Sequence, residues 1–93
     1  MKENNIYYEY EKKYPNNKNV SDFFIPKLKL YVEYMGMIKS DYIKTNHPDI
    51  YEKYITRYNT KESYCIENKI NYLFEKDYKL LINKIIKLYG NKN

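Results

Sequence analysis

The side chains best suited to covalent chemistry in this chain are one cysteine, Cys65, and one histidine, His47, eighteen positions apart. Nucleophilic catalysis needs a nucleophile held beside a base that is oriented by a third group. A lone cysteine and a lone histidine do not specify such a set. We therefore assign Cys65 a structural role and interpret His47, which precedes Pro48, as a capping or corner residue.

Three carboxylates, Asp41, Asp49 and Glu52, lie close to His47 in the sequence. No paired carboxylates, phosphate-binding glycine loop or metal-ligand spacing accompanies them. We therefore expect a protein that is not an enzyme and that has no cofactor and no metal site. Its function is expected to come from binding.

The residues most suited to binding a partner are tyrosines and basic side chains. The chain has 14 tyrosines, and 17 basic residues against 12 acidic ones give a formal net charge of +5. Tyrosine provides a large contact area at low entropic cost, whereas lysine and arginine bind phosphates. The candidate partner-binding residues are Tyr7, Tyr8, Tyr10, Tyr34, Lys39, Lys44, Lys53, Arg57, Lys76, Lys84 and Lys87.

Residues 78–93 contain four lysines and no acidic residue; the lysines are Lys79, Lys84, Lys87 and Lys92. Positive charge near a helix C-terminus complements the helix dipole, so one interpretation is helix termination. The other is contact with nucleic acid or an acidic partner. The sequence leaves both interpretations open.

The chain length predicts one domain, residues 1–93. A single cysteine forms no internal disulfide, and neither a secretory leader nor the ~20-residue apolar run needed to cross a bilayer is evident. We expect a soluble, cytoplasmic protein that does not bind membranes.

The N-terminal residues 1–25 have a different pattern from the rest. Two segments rich in strand-forming residues, Asn5–Tyr14 and Val20–Ile25, flank the turn-forming sequence PNNKN. This pattern predicts a small β-hairpin. The alternative is a flexible arm that becomes ordered on binding.

Residues 26–93 have the spacing of helices. The first helix is predicted to begin after Pro26 and to end near Thr45, with Gly36 inside it or dividing it. Asn46, His47 and Pro48 then form a sharp break, because proline suits the first turn of a new helix. A second helix follows over Pro48–Tyr58.

A third helix is predicted over Lys61–Tyr89, with Gly90 as a left-handed C-terminal residue. Its length of about 40 Å exceeds what a small domain needs. The helix therefore either breaks near Glu75–Asp77 or has an apolar stripe that pairs with a second copy. The sequence is compatible with both a monomer and a homodimer. We expect a mainly α fold of three or more helices with a long C-terminal helix. The predicted core is Ile38, Tyr42, Ile50, Tyr54, Ile70, Phe74 and Leu81.

The segment Phe23–Tyr51 resembles the TnpV family, small proteins carried by conjugative and mobilisable transposons. The family pattern combines an aromatic-aromatic-Ile-Pro-x-Leu opening, a glycine followed by basic residues, Tyr-Leu-Lys and a Pro-x-Leu-Tyr helix start. The matching residues are Phe23, Phe24, Ile25, Pro26, Leu28, Gly36, Lys39, Tyr42, Ile43, Lys44, Pro48, Ile50 and Tyr51. The match covers about a third of the chain. Met37 replaces a basic residue, and residues 57–60 lack the Ser-Gly-Lys-Leu turn of the family.

The resemblance implies a protein carried by a mobile element, such as a transposon or a phage, and leaves two functions open. In the first, the protein occludes a host defence nucleoprotein complex, as an anti-CRISPR inhibitor does through protein–protein interaction. In the second, it is an excisionase-like DNA-binding accessory protein for recombination, with Lys39, Lys44, Lys53 and Arg57 on phosphates. The single arginine among the basic residues favours the first, because bidentate reading of guanine relies on arginine.

Overall fold

The computed structural model describes residues 5–90 of the 93-residue chain. Lys92 of the C-terminal lysine group lies outside this range. Three strands come first, followed by two helices, a fourth strand and a last helix, with short 3-10 helices at Pro26–Leu28 and Gly36–Lys39. The principal elements are β1 (Glu9–Tyr10), β2 (Phe23–Ile25), β3 (Leu30–Tyr34), α1 (Asp41–Asn46), α2 (Pro48–Glu67), β4 (Asn71–Glu75) and α3 (Tyr78–Gly90).

The four strands form one mixed sheet in the order β1-β2-β3-β4. β2 pairs antiparallel with both β1 and β3, whereas β3 and β4 are parallel, with Leu30 opposite Asn71 and Tyr34 opposite Glu75. A parallel pair needs a crossover connection, which α1 and α2 provide. The result is an α/β fold.

Successive side chains of β3 point to opposite faces of the sheet, and each face packs against a different helix. Leu30 and Val32 belong to a core cluster that includes Leu81 and Ile85 of α3. Glu33 points to the other face and binds Lys61 of α2. The sheet therefore lies between α3 and α2.

The predicted mainly α fold is wrong. The region expected to be the first helix contains β3, and the region expected to be the third helix contains the end of α2, then β4, then α3. Within residues 5–90, the predicted helix over Lys61–Tyr89 is therefore not one long helix, and the break considered near Glu75–Asp77 lies between β4 and α3. The error has a physical reason: residues four apart share one face of a strand as well as of a helix, so Ile70 and Phe74 fit both patterns.

Several local predictions are confirmed. β1 pairs antiparallel with β2, and an isolated bridge between Lys13 and Val20 lies nearer the PNNKN turn. α1 ends at Asn46 and α2 begins at Pro48. His47 lies at this corner without capping α2 through its side chain.

The predicted helix ends are less accurate. α2 continues beyond Tyr58 to Glu67, so Asn59 and Thr60 lie inside it. Gly90 is the last residue of α3 and does not adopt a positive φ. No helix within residues 5–90 has the length and apolar character needed to cross a bilayer.

The buried core differs from the predicted one. Of the seven predicted core residues only Leu81 is buried; Ile38, Tyr54, Ile70 and Phe74 are half-buried, and Tyr42 and Ile50 are exposed. The pairing of the strands decides which residues are buried, because it places β2 and β3 at the centre of the sheet. The observed core cluster is Ile6, Ile25, Leu28, Leu30, Val32, Leu81 and Ile85.

Candidate partner-binding surface

Three of the predicted tyrosines come together at one end of the sheet. Tyr10 on β1 lies directly opposite Phe23 on β2, with ring centroids 5.6 Å apart. Tyr8 packs edge-on against both rings, at 5.2 Å from Tyr10 and 5.7 Å from Phe23. The Tyr8 and Tyr10 hydroxyls are also 3.2 Å apart.

Tyr34 and Tyr78 extend this cluster. Tyr34 ends β3, Tyr78 begins α3, and their rings meet edge-to-face at 5.4 Å. The Tyr34 ring packs directly against Gly36. A side chain at position 36 would clash with it, because a Cβ there would lie 2.7 Å from the ring atom Cζ. We call Tyr8, Tyr10, Phe23, Tyr34 and Tyr78 the aromatic surface.

The aromatic surface is accessible because α3 covers only part of its sheet face. The α3 residues Leu81 and Ile85 pack in the core cluster with Val32 of β3, whereas Tyr10 on the edge strand β1 is 68% exposed. Tyr34 and Tyr78 are exposed as well. Exposed aromatic rings in contact with one another are characteristic of protein-binding sites.

Two carboxylates adjoin these rings. Glu11 and Asp22, together with Tyr10, Phe23 and Tyr34, line a groove of about 350 Å³. The Tyr34 backbone N–H donates to Asp22 Oδ2 at 2.7 Å, and the Glu11 N–H donates to the Asp22 carbonyl oxygen at 3.0 Å. These bonds fix the acidic rim of the groove relative to the aromatic rings.

The fourth predicted tyrosine and the basic residues do not join this surface. Tyr7 is exposed, and no ring contact links it to the cluster among the described residues. Lys39 pairs with Asp77 at 3.2 Å, and Lys84 pairs with Glu75 at 2.7 Å. The Lys84 ammonium holds the pKa of Glu75 below its ordinary value, with help from the Asp77 backbone N–H.

The other basic candidates are spread over the three α-helices and the turn before α3. Lys44 Nζ lies 5.8 Å from the Tyr51 ring centre, and the Arg57 guanidinium lies 5.6 Å from that of Tyr54. Four of the seven basic candidates therefore contact an acidic or aromatic side chain of the same chain. The remaining three, Lys53, Lys76 and Lys87, are exposed.

The sequence did not reveal a buried polar network between α2 and the sheet. Lys61 Nζ lies 2.9 Å from Glu33 Oε2, and the Tyr14 hydroxyl donates to the same oxygen at 2.9 Å. Lys61 also donates to the Val20 carbonyl oxygen at 3.1 Å. Burial raises the pKa of Glu33, although the bonds from Lys61 and Tyr14 oppose this effect.

Cys65 lies beside this network and is fully buried. Burial, together with the Glu33 charge, raises the pKa of its thiol to about 11. The thiol is therefore protonated at neutral pH, which agrees with a structural role. Within residues 5–90, no three His, Cys, Asp or Glu side chains are grouped so that they could hold a metal ion.

Comparisons of the chain with protein-family models, curated proteins and solved structures found no match. The resemblance to TnpV proteins therefore stays a prediction.

Proposed function

We propose that this protein is a non-catalytic binding protein of a mobile element that occludes a host defence nucleoprotein complex, as anti-CRISPR inhibitors do. The observation that supports this proposal is the aromatic surface. Three rings in mutual contact, those of Tyr8, Tyr10 and Phe23, lie across one groove from the Tyr34–Tyr78 ring pair, and two carboxylates line that groove. Clustered tyrosines supply contact area with few rotatable bonds.

The chemistry of this surface favours a partner with basic side chains. An arginine guanidinium can stack on a tyrosine ring while it pairs with a carboxylate such as Asp22 or Glu11. Proteins that hold a guide or target nucleic acid carry such basic side chains in their binding channels. A binder seated on that channel would exclude the nucleic acid.

The alternative function, an excisionase-like DNA-binding protein, is supported by α3. This helix contains Lys79, Lys84 and Lys87 and no acidic residue, and Lys79 and Lys87 are exposed. The corner formed by α1 and α2 offers less support. α2 carries four acidic residues, Asp49, Glu52, Glu62 and Glu67, against three basic ones, of which Lys61 is buried.

The decisive experiment uses a bacterial host with an active CRISPR–Cas system and a targeted plasmid. The wild-type protein should raise the transformation efficiency of that plasmid. The double variant Tyr10→Ala/Tyr78→Ala should lose the effect, because it removes two exposed rings of the aromatic surface. The control Tyr7→Ala/Tyr42→Ala removes two exposed tyrosines elsewhere and should keep it. Matching melting curves would show that all variants fold.

Binding of the purified protein to bare duplex DNA separates the two functions. DNA binding should weaken steeply with salt, with a slope of about −0.9 per phosphate contact. Tight, salt-sensitive binding that Lys79→Glu/Lys87→Glu abolishes and Tyr10→Ala/Tyr78→Ala leaves intact would overturn the occlusion proposal in favour of the DNA-binding one.

A further inference from the structure

One edge of the sheet, formed by β4, has unpaired backbone groups. Within residues 5–90, β4 pairs with β3 on one side and with no strand on the other. The Glu75 carbonyl oxygen accepts a bond from the Met35 N–H, so Glu75, Leu73 and Asn71 direct their backbone groups toward β3. Successive residues alternate, so the N–H and C=O groups of Tyr72 and Phe74 point away from the sheet.

Exposed aliphatic side chains flank this edge on the α2 face. The row of α2 that contains Lys61 and Cys65 lies over β3, since Lys61 binds Glu33. The next row, Glu62 and Ile66, lies over β4, because Tyr58, one turn before Glu62 on this row, packs its ring against that of Phe74 with centroids 6.4 Å apart. Ile66 is 61% exposed there.

The α3 face has the same arrangement. Lys84 reaches Glu75 of β4, and Leu80 and Leu88 lie one turn before and after Lys84 on the same row of the helix. Leu80 is 50% exposed and Leu88 is 42% exposed. An unpaired strand edge with exposed aliphatic residues on both sides is a template for pairing with a strand of another chain.

We propose that this edge is the interface of a symmetric homodimer in which β4 pairs antiparallel with β4 of a second copy. The sequence of β4, Asn-Tyr-Leu-Phe-Glu, complements itself about Leu73. A two-fold axis at Leu73 places Tyr72 opposite Phe74 of the other copy, Leu73 opposite Leu73, and the Asn71 amide opposite the Glu75 carboxylate. Aromatic pairs stabilise neighbouring strands.

The same register satisfies the backbone. Tyr72 and Phe74 both direct their N–H and C=O groups outward, so each Tyr72–Phe74 pair exchanges two hydrogen bonds. Two such pairs give four bonds across the axis and join two four-stranded sheets into one of eight strands. The contact is isologous, which closes the assembly at two copies.

The proposal predicts a concentration-dependent dimer of twice the 11.5 kDa chain mass in sedimentation velocity. Amide hydrogens of Tyr72 and Phe74 should be protected from exchange at high concentration and lose protection on dilution, while those of Leu73 stay protected by β3. Ile66→Lys/Leu80→Lys should shift the equilibrium to monomer. The control Tyr7→Lys changes an exposed residue next to β1, at the opposite edge of the sheet, and should leave the dimer unchanged.

A monomer at every concentration would overturn the proposal. So would a dimer that persists in Ile66→Lys/Leu80→Lys, or one in which the Tyr72 and Phe74 amides exchange freely, because either dimer would use a different surface. These outcomes do not depend on whether the aromatic surface binds a defence complex.

Discussion

Glu33 on β3 and Lys61 on α2 form a buried ion pair, with Oε2 and Nζ 2.9 Å apart and the side chains only 2% and 10% exposed. Tyr14 donates a hydrogen bond to the same carboxylate oxygen. Through these two contacts, Glu33 connects β3 to α2 and to the segment between β1 and β2 that contains Tyr14.

Removing Lys61 should cost more stability than removing the pair. Lys61→Met leaves the Glu33 carboxylate buried without its cation, and such a loss costs about 3 to 5 kcal/mol. Glu33→Gln in the same chain removes the charge and retains an acceptor for Tyr14, so Lys61→Met/Glu33→Gln should recover part of the loss. Urea denaturation measures both free energies of unfolding. Equal stability of the two variants would contradict this account.

The stability of Lys61→Met should depend on pH in a specific direction. Burial raises the Glu33 pKa in the folded protein, and removing Lys61 removes a group that lowers it. An acid whose folded pKa is raised destabilises the fold as pH rises from the unfolded value of about 4.5 through the folded value. The deficit relative to wild type should therefore shrink as pH falls toward 4.5. Melting temperatures of both proteins between neutral pH and pH 4 test this, and a constant deficit would contradict it.

The turn from β4 into α3 should be sensitive to acid. The Leu80 N–H bonds to Asp77 at the N-terminus of α3 and lowers the Asp77 pKa, with help from Lys39, while Lys84 lowers that of Glu75. Groups with lowered folded pKa values stabilise the fold above their unfolded values near 4, and this stabilisation is lost as pH falls through the folded values. Glu75→Gln/Asp77→Asn should lower the melting temperature at neutral pH and flatten its fall in acid. Glu52→Gln, on the exposed side of α2, serves as the control and should leave the wild-type curve unchanged.

Neighbouring leucines of α3 should differ sharply in their effect on stability. Leu81 is fully buried in the core cluster, so Leu81→Ala should cost about 2 to 5 kcal/mol. Leu80 is half exposed, and Leu80→Ala should change the free energy of unfolding of the monomer by no more than about 0.5 kcal/mol. Denaturation at low protein concentration measures both. Similar losses would show that α3 packs with a different face.

Local features of this fold are predictable from the residues that form them. Proline and asparagine in PNNKN predict the turn region between β1 and β2, and Pro48 predicts where α2 begins, because these residues restrict their own backbone angles. The absence of a catalytic motif gave the expectation of a binding protein. Of the four tyrosines that the sequence offers as partner-binding residues, Tyr8, Tyr10 and Tyr34 lie in one surface and Tyr7 does not join it; that this surface binds a partner stays a prediction.

The tertiary structure alone decided the sheet and everything that depends on it. β3 and β4 pair in parallel although α1 and α2 separate them in the chain, and no local pattern reveals such a pairing. Residues four apart fit a strand face and a helix face equally, so periodicity could not separate the two. The same long-range pairing buries Glu33 with Lys61, joins Phe23 and Tyr78 to the tyrosines, and leaves the β4 edge open. Local sequence sets backbone angles, whereas the burial of apolar surface between distant segments selects the fold.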